Sequence, residues 1–270
     1  MKAALFYGGK DIRVEEVADL KPGPGEVLVR VIAAGVCGSD LHGYRDASRK
    51  RPGGAEGPFM TGHELAGEVA AMGTGVTGLK VGQRVGVEPR HLVGCGGCRW
   101  CRRGDYHLCP TRGVENGKRV HSTGFSQYSL EPANKCYPLP DGLSIEEAAI
   151  MDVYAVAVHA VHRAPAGPTE KVAVIGLGPI GLATVQIAKA LGAAQVIGLD
   201  TWDAVLDLAT KVGCDNVVNV TKGDPVATVR DLTGGEGVDV IYESVGGRSS
   251  TIQMAMGMAA SIPWPARRAI

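Results

Sequence analysis

From Glu26 to Gly35 the chain reads EVLVRVIAAG, in which Val27, Val29 and Val31 alternate with Glu26, Leu28 and Arg30 in the two-residue period of a strand. Short apolar runs broken by glycine and proline, as in KPGPGEVLVRV and KVGQRVGVEP, continue to about Pro140 and predict a compact all-β body. Ser144 with Glu147 three residues on forms a capping box, which predicts one helix running through AAIMDVYAVAVHAVHRA. Beyond APAGPT the pattern changes to strands alternating with helices. Strands near Val172, Val196, Val217 and Val238 predict a doubly wound parallel sheet. The pattern divides the chain into a β domain over 1–150 and an α/β domain over 151–270, with neither an internal repeat nor a low-complexity tract.

A length of 270 residues suits two such domains. Lys and Arg number 28, as do Asp and Glu, and no basic cluster is long enough to attract a polyanion, which argues against a nucleic-acid partner. The apolar stretch AALFY stops at Gly8, too short for a secretory signal, and no run of about 18 apolar residues marks a membrane span. The expected setting is the cytoplasm, away from membranes.

Cytoplasmic thiols are kept reduced, so a cysteine-dense loop there points to metal or catalysis rather than disulfides. CGGCRWCRRGDYHLC carries Cys95, Cys98, Cys101 and Cys109 in C-x2-C-x2-C-x7-C spacing. That spacing lets one loop, a lobe of about residues 90–112, surround a tetrahedral ion with thiolates, as structural zinc requires. Gly94, Gly96, Gly97 and Gly104 would permit the tight turns, and Arg99, Arg102 and Arg103 would offset the thiolate charge. The other reading is a loop of reduced, unliganded thiols. A closed four-sulfur site leaves no position for substrate, so the chemistry must lie elsewhere.

GVCGSDLHGY sets Cys37, Ser39, Asp40 and His42 in one glycine-flanked turn after the predicted strand, and TGHELAGEVAAMG puts His63 and Glu64 ahead of another apolar run. A thiolate, an imidazole and a carboxylate are the ligand types of an open zinc site, in which water or substrate completes the coordination. Taken singly, His63 and Glu64 read as surface polar groups and Cys37 as an inert core thiol. Their occurrence together, beside a four-cysteine loop, is what points to a site.

Further on, the apolar strand Val172 to Ile175 runs into Gly176-x-Gly178-Pro179-Ile180-Gly181 and an alanine-rich helical stretch, with Pro179 in the first turn where its missing N–H costs nothing. Asp200 closes the next strand, QVIGLD, 19 residues after Gly181. A carboxylate there hydrogen-bonds the adenosine ribose of NAD and repels the extra phosphate of NADP.

With these motifs the chain resembles the zinc-dependent medium-chain alcohol/polyol dehydrogenases, a group that includes sorbitol, threonine and secondary-alcohol dehydrogenases. The likeness rests on CGSDLH, GHE, the four-cysteine lobe and the glycine-rich turn, and extends to about Gly247. It implies a GroES-like catalytic domain followed by a Rossmann domain, two zinc ions per subunit, NAD, and oxidation of a small-molecule alcohol or polyol by hydride transfer. It also implies Cys37 and His63 as catalytic zinc ligands, with Glu64 as a ligand or exchange partner. Asp152 stands where polyol-type members place an acid and other alcohol dehydrogenases a second cysteine. In that setting Ser39 can take the alcohol proton and His42 pass it to solvent, through the nicotinamide ribose as in the family. Asp40 can accept the second ring N–H of His63 and fix its tautomer. His91, His107, His121, His159 and His162 read as structural or surface groups, and Cys136 and Cys214 carry no assigned role.

The Rossmann sheet has six strands in the order 3-2-1-4-5-6. The sequence supplies four of them before STIQMAMGMAASIPWPARRAI, where Pro263 and Pro265 around Trp264 argue against a central strand. The expected Rossmann domain therefore lacks its C-terminal half, and the subunit contacts that family members build there should be absent. Two functions follow: an active zinc-dependent, NAD-linked alcohol or polyol dehydrogenase, or an inactive zinc-binding remnant of the same fold. A zinc-ribbon nucleic-acid binder is opposed by the neutral charge and the dinucleotide motif. Which alcohol is used is not legible, because pocket shape comes from residues scattered over loops.

Overall fold

The computed structural model describes residues 1–45, 58–115, 118–247 and 250–260. Among them the chain separates into two units, Met1–Asp152 and Val153–Ile270. The first opens with the antiparallel hairpin of β1 (Lys2–Gly8) and β2 (Asp11–Glu16), then β3 (Glu26–Gly35) and α1 (Gly38–Arg45). After these come β4 (Phe59–Met60), β5 (Glu64–Met72) and β6 (Arg84–Val87). The cysteine-rich lobe contributes α2 (Arg99–Arg102), followed by the short pair β7 (Val114–Glu115) and β8 (Lys118–Arg119). The chain returns through β9 (Tyr128–Pro132) and β10 (Cys136–Pro138) to α3 (Ile145–Ala149).

Five of these strands form an antiparallel sheet in the order β10-β6-β5-β3-β9. The alternation selects one face: Val27 and Val29 of β3, Leu65 and Val69 of β5, and Val85 and Val87 of β6 share one buried cluster. Each such side chain contributes roughly 1.5–3 kcal/mol relative to leaving it exposed. The all-β expectation up to about Pro140 is modified, among the described residues, by the α-helices α1 and α2. Most consequential is α1, which occupies the stretch expected to be a turn: the Cys37 carbonyl accepts the Asp40 and Leu41 N–H groups at 3.0 and 3.3 Å, closing a first helical turn.

The capping box is present, with Ser144 and Glu147 exchanging side-chain to backbone bonds. The helix it opens is not continuous, however. Ile150, at φ −96° and ψ 16°, ends α3, and α4 (Met151–Arg163) starts afresh. The two segments serve different cores. Ile145, Ala148 and Ala149 pack with Ala66, whereas Val153 and Ala157 pack with Ala183.

The second unit alternates β11 (Lys171–Ile175), α5 (Pro179–Ala190), β12 (Gln195–Asp200), α6 (Asp203–Lys211), β13 (Asn216–Asn219), α7 (Pro225–Leu232), β14 (Val240–Glu243) and α8 (Thr251–Met258). Its parallel sheet runs β13-β12-β11-β14, the order 3-2-1-4. After Lys171, β11 is apolar because both its faces are covered. Val172 and Val174 pack with Val185 and Ala188 of α5, while Ala173 and Ile175 pack with Val229 of α7 and Met258 of α8. The strand expected at Val238 begins two residues later; Val238 itself makes a bridge to Ala259. Pro263, Trp264 and Pro265 lie outside the described residues. Among the described residues no helix is long and apolar enough to cross a membrane.

Candidate functional site

β3 and β5 pair antiparallel with Gly35 opposite Glu64. This register brings Cys37, just past the end of β3, to the same end of the sheet as His63, just before β5. One ligand atom each from Cys37, His63 and Glu64 lies within 4.8 Å of the others. Gly35 makes the arrangement possible, since a Cβ there would stand 2.2 Å from Glu64 Oε2. The turn that presents His63 needs glycine for a different reason. Gly62 has φ +99°, and a Cβ on it would meet the Phe125 nitrogen at 2.6 Å.

Burial pushes the Glu64 carboxyl above its usual range, with Cys37 and His63 pulling the other way and Asp152 and Asp40 adding to the rise. Asp152, at the start of α4, is also raised by burial and opposed by His63. It stands near enough to both to be felt electrostatically, yet outside the three-residue group. Asp40 has a different task from the one expected of it. Its Oδ2 accepts the Cys37 backbone N–H at 3.0 Å, and among the described residues no hydrogen bond joins it to His63. The carboxylate thus fixes the backbone that carries the thiol.

Ser39, Asp40, His63, His91, His121 and Ser122 line a cavity of about 260 Å³, with Phe6 and Phe59 as its apolar wall. His42 lies three residues beyond Ser39 on α1 and does not line it. His91 and His121, which the sequence alone places among structural or surface groups, line the cavity instead. The His91 ring meets His63 edge-on at 5.6 Å between centroids and lies 5.8 Å from His121. Burial, followed by the two neighbouring imidazoles, holds His91 down at about 4, so it is neutral at neutral pH. One signal was available in the sequence. The two residues bracket the cysteine-rich lobe, and a lobe that leaves and rejoins a body at one place brings its flanks together. Among the other histidines, His159 and His162 are exposed on α4.

In the lobe, one Sγ from each of Cys95, Cys98, Cys101 and Cys109 lies within 4.8 Å of the rest, and all four are free of disulfides. The Cys95 N–H donates to Cys109 Sγ at 3.4 Å. Hydrogen bonding from Thr111, with the Cys95 backbone, lowers the Cys109 thiol to about 6, while burial raises Cys101 to about 11. Gly94 gives room to Cys101, whose Sγ would lie 2.6 Å from a Cβ on it. Of the lobe's arginines, Arg99 sits 4.2 Å over the Trp100 ring and Arg103 6.0 Å from it, with Arg103 also 3.6 Å from Asp105.

In the second unit, Gly176 has φ +86°, Gly178 caps α5, Pro179 opens the helix and Ile180 is partly exposed in its first turn. A Cβ on Gly181 would stand 1.9 Å from the Gly176 carbonyl oxygen, which closes helix on strand, whereas nothing lies within 4 Å of one on Gly178. The Gly178 backbone is therefore open to a bound group at a helix N-terminus, where N–H groups and the helix dipole favour phosphate. Asp200 Oδ2 accepts the Leu177 N–H at 2.8 Å and Oδ1 accepts those of Thr201 and Trp202. This carboxylate holds the glycine-rich turn in place as well as standing at the end of β12.

Residues 23–141 match the family described as alcohol dehydrogenase GroES-like domain, and residues 179–261 that described as zinc-binding dehydrogenase. The chain is 39% identical over 248 residues to sorbitol dehydrogenase of Bacillus subtilis strain 168, covering 91% of this chain and 69% of that protein. Among solved structures it is similar to an alcohol dehydrogenase of Escherichia coli CFT073 complexed with NADH, at 30% identity and TM-score 0.83, covering 96% of this chain and 73% of that one. A Sinorhizobium meliloti 1021 protein bound to NADP aligns over the same shares at 30% identity and TM-score 0.85.

Proposed function

The chain belongs to the family of zinc-binding alcohol dehydrogenases with a GroES-like domain, and from that membership we propose that it oxidises a small alcohol or polyol with NAD as hydride acceptor. The β domain over about 1–150 carries the metal chemistry and the domain over 151–270 the cofactor. Cys37, His63 and Glu64 hold a catalytic zinc, with Asp152 as the nearby acid, and Cys95, Cys98, Cys101 and Cys109 hold a structural one. The observation that carries this reading is the meeting of thiol, imidazole and carboxylate within 4.8 Å, beside the cavity that Ser39 lines and apart from the four-cysteine group. A zinc ion held there supplies the Lewis acidity that lowers the pKa of an alcohol hydroxyl.

The side chains do the rest. Ser39 accepts the alcohol proton, and His42, one turn along α1, delivers it to solvent. Asp40 keeps the Cys37 backbone oriented. Gly176, Gly178 and Gly181 let the pyrophosphate approach the start of α5 over Pro179 and Ile180, and Asp200 binds the adenosine ribose. The test is a panel of polyols, amino alcohols and secondary alcohols offered to the zinc-loaded protein with NAD, followed by absorbance of the reduced cofactor. Absence of turnover across the panel would overturn the reading.

Two further outcomes are expected. The protein should carry two zinc ions per chain, and Gly35→Ala, by driving a methyl into the Glu64 carboxylate, should lower the count towards one while the melting temperature changes little. Full zinc content in that variant would count against Glu64 as a ligand. NAD should be favoured over NADP by about one to three orders of magnitude, the size of a few kcal/mol of repulsion and one lost ribose bond. Asp200→Gly should narrow the gap mainly by weakening NAD, because it also removes the acceptor for the Leu177, Thr201 and Trp202 N–H groups. Equal use of both cofactors by the unaltered protein would exclude the assignment.

A further inference from the structure

Behind the cavity lies a buried carboxylate that the chemistry above does not use. Glu131, on β9, is wholly inaccessible to solvent. Its Oε2 accepts from the Ser122 hydroxyl at 3.1 Å and its Oε1 from the Ser129 hydroxyl at 2.5 Å. Each serine oxygen in turn accepts a backbone N–H at 2.9 Å, Ser122 from Arg90 and Ser129 from Thr123. Arg90 is tied down beyond this, by its side chain on Glu26, Glu115 and the Leu130 carbonyl. The anchored positions 90 and 122 are the chain neighbours of His91 and His121, with 123 one residue further on, and Ser122 itself lines the cavity.

The geometry points to Glu131 as a positioning residue, which through Ser122 and the Arg90 N–H sets the wall of the cavity that carries His91 and His121. The inference rests on the reading of that cavity as the alcohol-binding site. The directions of the bonds give it a signature. A backbone N–H can only donate, so the Ser122 hydroxyl keeps its hydrogen for Glu131; Ser129 accepts from the Thr123 hydroxyl at 3.1 Å as well as from the Thr123 N–H and donates to the nearer Oε1, so the network as it stands has both carboxylate oxygens accepting. If the carboxyl is protonated, one serine loses its acceptor and the wall its fixed link.

Burial pushes the Glu131 carboxyl up from 4.5 to about 7, with Ser129, Ser122 and Arg90 pulling it down, Glu115 pushing it up and Cys136 facing it from β10. Function and stability therefore run in opposite directions. An acid whose folded-state pKa is raised contributes stability that is present below the unfolded value and lost as pH rises through the folded value. The bond network, by contrast, is complete only above about 7.

Glu131→Gln keeps the shape and removes the charge. At pH 8 it should raise the melting temperature, yet raise the KM for the alcohol about three- to tenfold, the size of one lost hydrogen bond, with kcat changed less than about twofold. At pH 5.5 the variant and the unaltered protein should share one KM. Ser122→Ala should raise KM at both pH values. A group that served packing alone would shift the melt and leave KM untouched, and that result would overturn the proposal. Imidazole nitrogen NMR of His91 and His121 in the metal-free protein supplies a readout that needs no turnover. Both rings should shift with a midpoint near 7 that Glu131→Gln abolishes; no such midpoint in the unaltered protein, or one that persists in Glu131→Gln, would defeat the positioning role even if no alcohol were ever oxidised.

Discussion

Cys109→Ser is expected to lower the yield of folded protein and to release one equivalent of metal. Cys109 is completely buried, it accepts the Cys95 N–H, and its thiol is lowered to about 6, which favours the thiolate at neutral pH. A hydroxyl in its place is neither a thiolate nor able to bond zinc as one. Structural zinc contributes roughly 10–16 kcal/mol of apparent binding energy to the folds that need it, against a total stability of roughly 5–15 kcal/mol for a domain. Loss of one ligand in four is thus enough to disorder the lobe. The disorder should spread to its flanks, because Gly113 N–H bonds the Val93 carbonyl across the lobe's base. Elemental analysis and limited proteolysis measure both consequences. Undiminished zinc with an unchanged cleavage pattern would show that the four thiols are not a metal site.

His63→Ala is expected to do the reverse. The residue precedes β5, belongs to none of the buried apolar clusters, and stands edge-on to the ring of His91, so its removal should leave the melting temperature within a few degrees. Turnover should fall by at least about a thousandfold, since loss of a ligand forfeits several kcal/mol of charge stabilisation at the reacting oxygen. The four-cysteine site should keep its metal. If Cys109→Ser and His63→Ala lost soluble protein equally, the division of labour between the two ligand groups would be wrong. If His63→Ala kept more than a tenth of the turnover, the cavity it lines would not be the reacting site.

Contrast between these two variants reflects what was readable along the chain. Patterns that close within a few residues were legible. The four cysteines sit in one loop, the Ser144–Glu147 box spans one helical turn, and Gly176 to Gly181 form one strand-to-helix turn, so spacing alone brings their groups together. The alternation in EVLVRVIAAG likewise predicted β3 with its full extent, because a strand's buried face is a property of successive residues.

What depended on distant segments meeting could be supplied only by the tertiary structure. Cys37 and His63 come together because Gly35 pairs with Glu64, and the sequence offers the residues but not the register. His91 and His121 appear as ordinary polar residues until the base of the lobe closes and stands them beside His63. Asp40 was free in sequence to serve either His63 or its own backbone, and the first turn of α1 decided for the Cys37 N–H. The helix predicted through residue 150 breaks there because its two ends are drawn to different cores. Local periodicity and spacing thus determined which elements form and which ligand types are present. Strand register and core packing, which act between residues far apart in the chain, determined which of those groups face one cavity and which carboxylate holds its wall.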